Sequence, residues 1–137
     1  MKVTYEIENG KKVKIKTYVD GTVKKFDKNG NEIYYNCGCV EHWQEYDANG
    51  NVIYYKRDGH EYWHEYDSNG NEIHWKTNNG CEVWKEYDSN GDLIHYKDNT
   101  GYEYWNEYDS NGKVIHFKNN KGRERFAEDY EVRKKAC

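Results

Sequence analysis

Taken two residues at a time, as side chains alternate along a β-strand, the hydrophobic and polar positions of this chain sort onto two faces. Tyr62, Tyr66, Ile73, Trp75, Val83, Tyr87, Ile94, Tyr96, Tyr104, Tyr108, Ile115 and Phe117 share one face, expected to be the packing side. The other carries Trp43, Trp63, Trp84 and Trp105, flanked by Glu61, Glu65, Glu82, Glu86, Glu103 and Glu107 and crossed by Lys56, Lys76, Lys97 and Lys118. It reads as an aromatic stripe among charges.

Turn signals punctuate these strands at a fixed period. Asn-Gly occurs six times, at Asn9-Gly10, Asn29-Gly30, Asn49-Gly50, Asn69-Gly70, Asn90-Gly91 and Asn111-Gly112, with spacings of 20, 20, 20, 21 and 21 residues. Asn-Gly between strand-like segments predicts a two-residue type I′ hairpin turn, which needs positive φ at both central residues. A second set of turns, at Asp20-Gly21, Gly38, Gly59, Gly80, Gly101 and Gly122, returns the chain to the next hairpin. The fold class is therefore all-β: an antiparallel meander of about six hairpin repeats, forming an elongated, twisted single-layer or half-pipe sheet. Two-residue turns place Glu65 opposite His74, Trp63 opposite Lys76, Trp43 opposite Lys56, Trp84 opposite Lys97 and Trp105 opposite Lys118. They also pair Glu86 with His95 and Glu107 with His116.

One repeat domain spans 1–137, with N-terminal capping hairpins over 1–36, core repeats over 37–120 and a C-terminal cap over 121–137. Val23 stands for the stripe Trp at one end and Phe126 at the other, as suits terminal repeats. The tail Glu124 to Lys135, with Ala127, Tyr130 and Val132 among charges, is read as a short helical cap.

Composition fixes what holds such a sheet together. With a single leucine, 17% aromatic residues and a mean hydropathy of −1.36, aliphatic burial cannot dominate, so aromatic layers must supply stability. The net charge of −4 is uneven. Residues 1–36 carry eight lysines against five acids, 37–120 seven basic side chains against sixteen acids, and 121–137 six against four. Lys11, Lys12, Lys14, Lys16, Lys24 and Lys25 are read as charges that stop an exposed sheet edge from pairing with another chain, the alternative being a basic binding patch. No stretch reaches the roughly 18 apolar residues of a membrane span, and the start Met1 to Glu6 has no apolar signal core, so a cytoplasmic site is expected. Cys37, Cys39, Cys81 and Cys137 follow no framework spacing and are expected as free thiols, Cys37-Gly38-Cys39 being too tight for an easy disulfide.

The string Trp84-Lys85-Glu86-Tyr87-Asp88-Ser89-Asn90-Gly91, preceded by Gly80 and followed by Ile94, resembles variant MORN-type repeats, as in bacterial antitoxin-like proteins. It is also similar to the tyrosine-aspartate repeats of Rhs-type toxin shells. The resemblance covers about residues 22–126 and implies stacked hairpins; the internal glycines typical of MORN units are partly replaced by Glu and His.

Candidate chemistry narrows quickly. Asp67-Ser68-Asn69-Gly70-Asn71-Glu72 resembles the opening of a calcium loop but lacks the distant bidentate Glu and flanking helices, and reads as hairpin chemistry. His74, His95 and His116 fall on strands two apart, about 9.5 Å, too far to share an ion, and are expected to pair with glutamates. Carboxylates recur in every unit instead of converging on one pocket, and no nucleophile elbow or phosphate loop is present, so neither catalysis nor a cofactor is expected. The Trp stripe admits two readings: Trp–Lys cation–π contacts worth about 0.5–1 kcal/mol that hold the sheet, or an interface rich in energetic anchors.

The function expected is a non-enzymatic protein-binding module acting by occlusion. It would be of inhibitor or immunity type, antitoxin-like or a phage-encoded inhibitor of a host defence nuclease such as a CRISPR effector. The acidic centre suits a basic nucleic-acid-binding partner, and direct nucleic-acid or membrane binding is not expected. Alternatives are a carbohydrate or cell-wall binding module and a self-assembling scaffold, a monomer or a homodimer joined through the Tyr/Ile face.

Overall fold

A computed structural model describes residues 1–127 of the chain. Its strands are β1 (Lys2–Glu8), β2 (Lys11–Thr17), β3 (Val23–Phe26), β4 (Glu32–Asn36), β5 (Glu41–Tyr46), β6 (Val52–Arg57) and β7 (His60–Tyr66). They continue as β8 (Glu72–Thr77), β9 (Glu82–Tyr87), β10 (Leu93–Asp98), β11 (Glu103–Tyr108), β12 (Val114–Asn119) and β13 (Glu124–Phe126). The strands follow one another through the sheet in chain order, the all-β hairpin meander expected from the repeats. The chain forms two compact units, residues 1–64 with 77–79, and residues 65–76 with those from 80 onward.

In the first unit, the Asn-Gly turns are of two kinds. Asn9 and Gly10 have φ of 52° and 77°, and Asp58 and Gly59 have 50° and 80°, the type I′ geometry that the dipeptide predicts. At Asn49-Gly50 only the glycine has positive φ. Gly50 N–H donates to Asp47 O at 3.1 Å and Asp47 N–H to Asn51 O at 2.9 Å, the three-residue loop in which a type I turn precedes a left-handed glycine. The cause is Asp47, whose Oδ1 accepts the N–H groups of Asn49 and Asn51, both at 2.9 Å. Asp27 does the same for Asn29 and Asn31. Asn9 has Ile7 two residues before it and no carboxylate to capture those amides.

The longer loop is compensated within the strands. Trp43 lies opposite Lys56, as two-residue turns predict, but Tyr46 faces Val52, and the register shifts between Glu45 and Tyr46. Ile53 is thus the extra residue of a β-bulge, and Ile33 takes that place between β3 and β4. One residue added in the loop and one in the bulge cancel, which preserves the pairing further along. Tyr46 O–H donates to Glu32 O at 2.8 Å and ties the β5–β6 hairpin to the bulged end of the β3–β4 hairpin.

Few side chains in this unit are deeply buried. Val13 and Ile15 are, at 3% and 9% exposure, while the face opposite the Trp stripe is an aromatic row in which His42 stacks on Tyr35 and Tyr55. The six lysines expected to guard an edge all sit on β2 and β3, inside the sheet, and none is on β1, the strand at the edge. They cover rings instead: Lys12 Nζ lies 4.8 Å from the centre of Tyr5, Lys16 5.0 Å from Phe26 and Lys25 5.1 Å from Tyr34.

The second unit repeats this plan. Trp84 faces Lys97, Trp105 faces Lys118, and Ile94 and Ile115 are the bulged residues. Tyr87 O–H donates to Glu72 O at 2.8 Å and Tyr108 O–H to Leu93 O at 2.6 Å. Val83, opposite Trp75, is 6% exposed, and Tyr104 continues the aromatic row between Tyr96 and Phe117.

Repeat length changes from 20 to 21 residues where the return turn lengthens from Asp58-Gly59 to Asn78-Asn79-Gly80. The added residue carries an amide clamp. Asn99 Oδ1 accepts the Glu82 N–H at 3.0 Å, its Nδ2 donates to Gly80 O, and its backbone N–H donates to Glu82 O at 3.0 Å. Asn120 clamps Glu103 and Gly101 in the same way, as Asn78 clamps Glu61 and Gly59 in the first unit.

The helical cap expected from Glu124 starts later than expected: Glu124–Phe126 is strand β13, with Phe126 opposite His116, and Ala127 is the first helical residue. Phe126 stands where the repeat has Trp and finds the same ring partner, so the sheet extends by one more strand. The remainder of the expected cap, from residue 128, lies outside the described residues.

Candidate functional site

The indole stripe is built from pairs that cross the return turns. In the first unit Tyr34 lies opposite Trp43 and Tyr54 opposite Trp63, with ring centroids 5.5 and 5.7 Å apart and planes tilted by 60° and 48°. Tyr34 O–H donates to Glu41 at 2.9 Å, and Lys56 Nζ lies 5.3 Å from the centre of the Trp43 ring, the cation–π contact anticipated for the stripe.

From residue 74 onward histidine takes the place of that tyrosine and the rings become parallel. His74 stacks on Trp84 at 5.4 Å and 15°, His95 on Trp105 at 5.4 Å and 13°, and His116 on Phe126 at 4.5 Å and 7°. Each imidazole is also held by two carboxylates. His74 reaches Glu65 through Nδ1 at 3.1 Å and Glu82 through Nε2 at 2.7 Å; His95 reaches Glu86 at 3.0 Å and Glu103 at 2.6 Å. His116 reaches Glu107 at 3.3 Å and Glu124 at 2.9 Å.

The three glutamate–histidine pairs predicted within hairpins are therefore formed. The second carboxylate and the stacked ring come from the next strand.

This environment favours the imidazolium. Burial works against charge on His74 and His95, but the carboxylates of Glu82 and Glu65, and of Glu86 and Glu103, raise both pKa values above the ordinary histidine value. Hydrogen bonds to Glu124 and Glu107 raise His116 in the same direction, against a smaller burial penalty. A doubly protonated ring can donate from both nitrogens, so each histidine bridges two anions. With both nitrogens engaged, none of the three is positioned to accept a proton from a substrate or to ligate a metal.

The candidate contact residues fall into an outer and an inner set. Trp43, Trp84 and Trp105 are 36%, 38% and 39% exposed, and Trp63 is half-buried. Glu65, Glu86 and Glu107 present side chains 66%, 67% and 68% exposed, whereas Glu82 and Glu103 are at 33% and 27%. Glu61 is half-buried, and its backbone N–H is bound by Asn78. A shallow hollow of about 510 Å³ opens in the second unit, where Glu65, Asp67 and Glu86 meet Lys85, His74 and Trp84. What this arrangement offers is a set of exposed indole edges, fixed in orientation by stacking and bordered by carboxylates.

The alternation of the sequence placed the Trp and Glu residues on one face but did not reveal the histidine bridge. The missing signal was the register across the return turns, which sets His74 opposite Trp84 and His95 opposite Trp105. The chain matches no protein-family model and no curated protein sequence.

Proposed function

We propose that the chain is a non-enzymatic protein-binding module that occludes a basic surface of its partner with the Trp/Glu face. One observation carries this reading: exposed tryptophans are pre-oriented by histidine stacking and flanked by glutamates left mostly in solvent. Rigid aromatic anchors lose little entropy on binding, and indoles rank high among residues that dominate interface energy. The excess of acids over 37–120, sixteen against seven basic side chains, favours a cationic surface such as a nucleic-acid-binding channel and speeds encounter with it. The likeness of the repeats to antitoxin-like MORN proteins lends support to an inhibitor or immunity role. For a sugar ligand, one face of Trp84 and of Trp105 is already covered by a histidine.

The test is capture from bacterial lysate at low and at high salt, with mass-spectrometric identification, using wild type beside Trp84→Ala/Trp105→Ala and Glu65→Gln/Glu86→Gln/Glu107→Gln variants whose circular dichroism matches. The expected result is a stoichiometric basic protein lost from both variants and released by salt. A partner retained equally by the Trp variant, or one whose retention ignores salt, overturns the proposal.

A further inference from the structure

The turn between β4 and β5 brings two thiols together outside the Trp/Glu face. Gly38, at φ 91°, occupies the first central position of a two-residue turn closed by Cys37 N–H to Val40 O at 3.1 Å. That geometry folds Cys39 back over the strand end. The two sulfurs lie 2.9 Å apart, Cys37 half-buried and Cys39 exposed, and both are free thiols. In an extended strand two residues spaced like Cys37 and Cys39 would share a face but stand about 6.6 Å apart, so the left-handed glycine turn is what brings the sulfurs into contact.

We propose that Cys37 and Cys39 form a thiol–disulfide exchange site for low-molecular-weight disulfides, Cys37 being the nucleophile and Cys39 the resolving thiol. The two sulfurs are not equivalent. Either thiol can donate across the 2.9 Å contact, and the Cys39 and Val40 backbone N–H groups favour a thiolate at both sulfurs; with Cys39 as the donor, the Cys37 pKa falls to about 7 while that of Cys39 is raised. Near neutral pH roughly half of Cys37 is thiolate, the form that attacks disulfides.

In the first step the Cys37 thiolate attacks one sulfur of a disulfide RSSR, forms Cys37–S–S–R and expels RS⁻. The Cys39 proton passes to that leaving thiolate. Cys39 then attacks Sγ of Cys37, closes the Cys37–Cys39 disulfide and expels the second RS⁻, protonated from solvent. Two protein thiols are oxidised and one disulfide is reduced to two thiols, with no other oxidant. The small ring closed across one glycine is strained, so a dithiol returns it readily to the reduced state.

The experiment uses the full chain in a Cys81→Ser/Cys137→Ser background, oxidised glutathione as probe and intact-mass spectrometry as readout. The intact pair is expected to lose two hydrogens and retain no glutathione. Cys39→Ser, whose hydroxyl still donates to Cys37, is expected to trap one glutathione, and Cys37→Ser to react roughly tenfold more slowly. Circular dichroism confirms that each variant keeps the sheet, which the exposed turn permits. Two glutathiones retained by the intact pair, equal rates for the two single variants, or alkylation of the pair with an inflection near the ordinary thiol value of about 8.5 would overturn the assignment.

Discussion

His95 stacks on Trp105 with ring centroids 5.4 Å apart and planes 13° from parallel, while its two nitrogens engage Glu86 and Glu103. One side chain thereby joins a hairpin to its successor by an aromatic contact and to both by charge. A coupling energy follows. In a double-mutant cycle of His95→Gln and Trp105→Leu, urea denaturation is expected to give about 0.5–1.5 kcal/mol of interaction, larger at pH 5.5 than at pH 8.5, where the ring cation is lost. A coupling near zero at both pH values would reduce the stack to mere adjacency.

The three bridged histidines make stability depend on pH in a defined direction. Their folded-state pKa values are raised, so the stabilisation is fully present below the unfolded value of about 6.5 and is lost as pH rises through the folded values. Melting temperature is expected to decline from about pH 6.5 upward. In a His74→Gln/His95→Gln/His116→Gln variant that decline should flatten. An unchanged slope would assign the pH dependence to other groups.

The asparagine clamp predicts a local loss. Asn99→Ala removes the bonds to Glu82 N–H and Gly80 O, at an exposed site, for a cost of about 1 kcal/mol by denaturant unfolding. Hydrogen exchange at the Glu82 amide should accelerate at the same time, since the amide loses its acceptor. Aspartate at position 99 keeps the acceptor but cannot donate to Gly80 O, and should recover only part of the loss.

How much of this was legible in the sequence depends on how local the cause is. The two faces, the turn positions and the Trp43–Lys56, Trp84–Lys97 and Trp105–Lys118 pairs follow from alternation and from turns a few residues long. The turn type did not, because Asp47, Asp67, Asp88 and Asp109 compete for the amides that an Asn-Gly pair would otherwise orient. Pairing survived that error only because the Ile53, Ile94 and Ile115 bulges cancel it. Contacts between successive repeats were the least readable. His74–Trp84 and His95–Trp105 depend on return turns whose length varies along the chain, from Asp58-Gly59 to Asn99-Thr100-Gly101. At the stripe, alternation found Trp84 and Trp105 but could not show which neighbour holds each ring.

Two outwardly similar asparagines separate the two turn types experimentally. Asn9 sits at φ 52°, in the left-handed region that asparagine tolerates better than residues without a short polar side chain, and Asn90 does not share that conformation. Asn9→Ala should therefore destabilise the first hairpin by about 1 kcal/mol, whereas Asn90→Ala should be nearly neutral, its turn being held by Asp88. Gly91, at φ 84°, carries the left-handed position of that second turn, so Gly91→Ala should cost about 1–2 kcal/mol where Asn90→Ala does not. Chemical denaturation of the three variants is sufficient to decide. Equal costs at Asn9 and Asn90 would mean that both turns are of the two-residue type, and the Asp88 carboxylate would then have no part in choosing the loop.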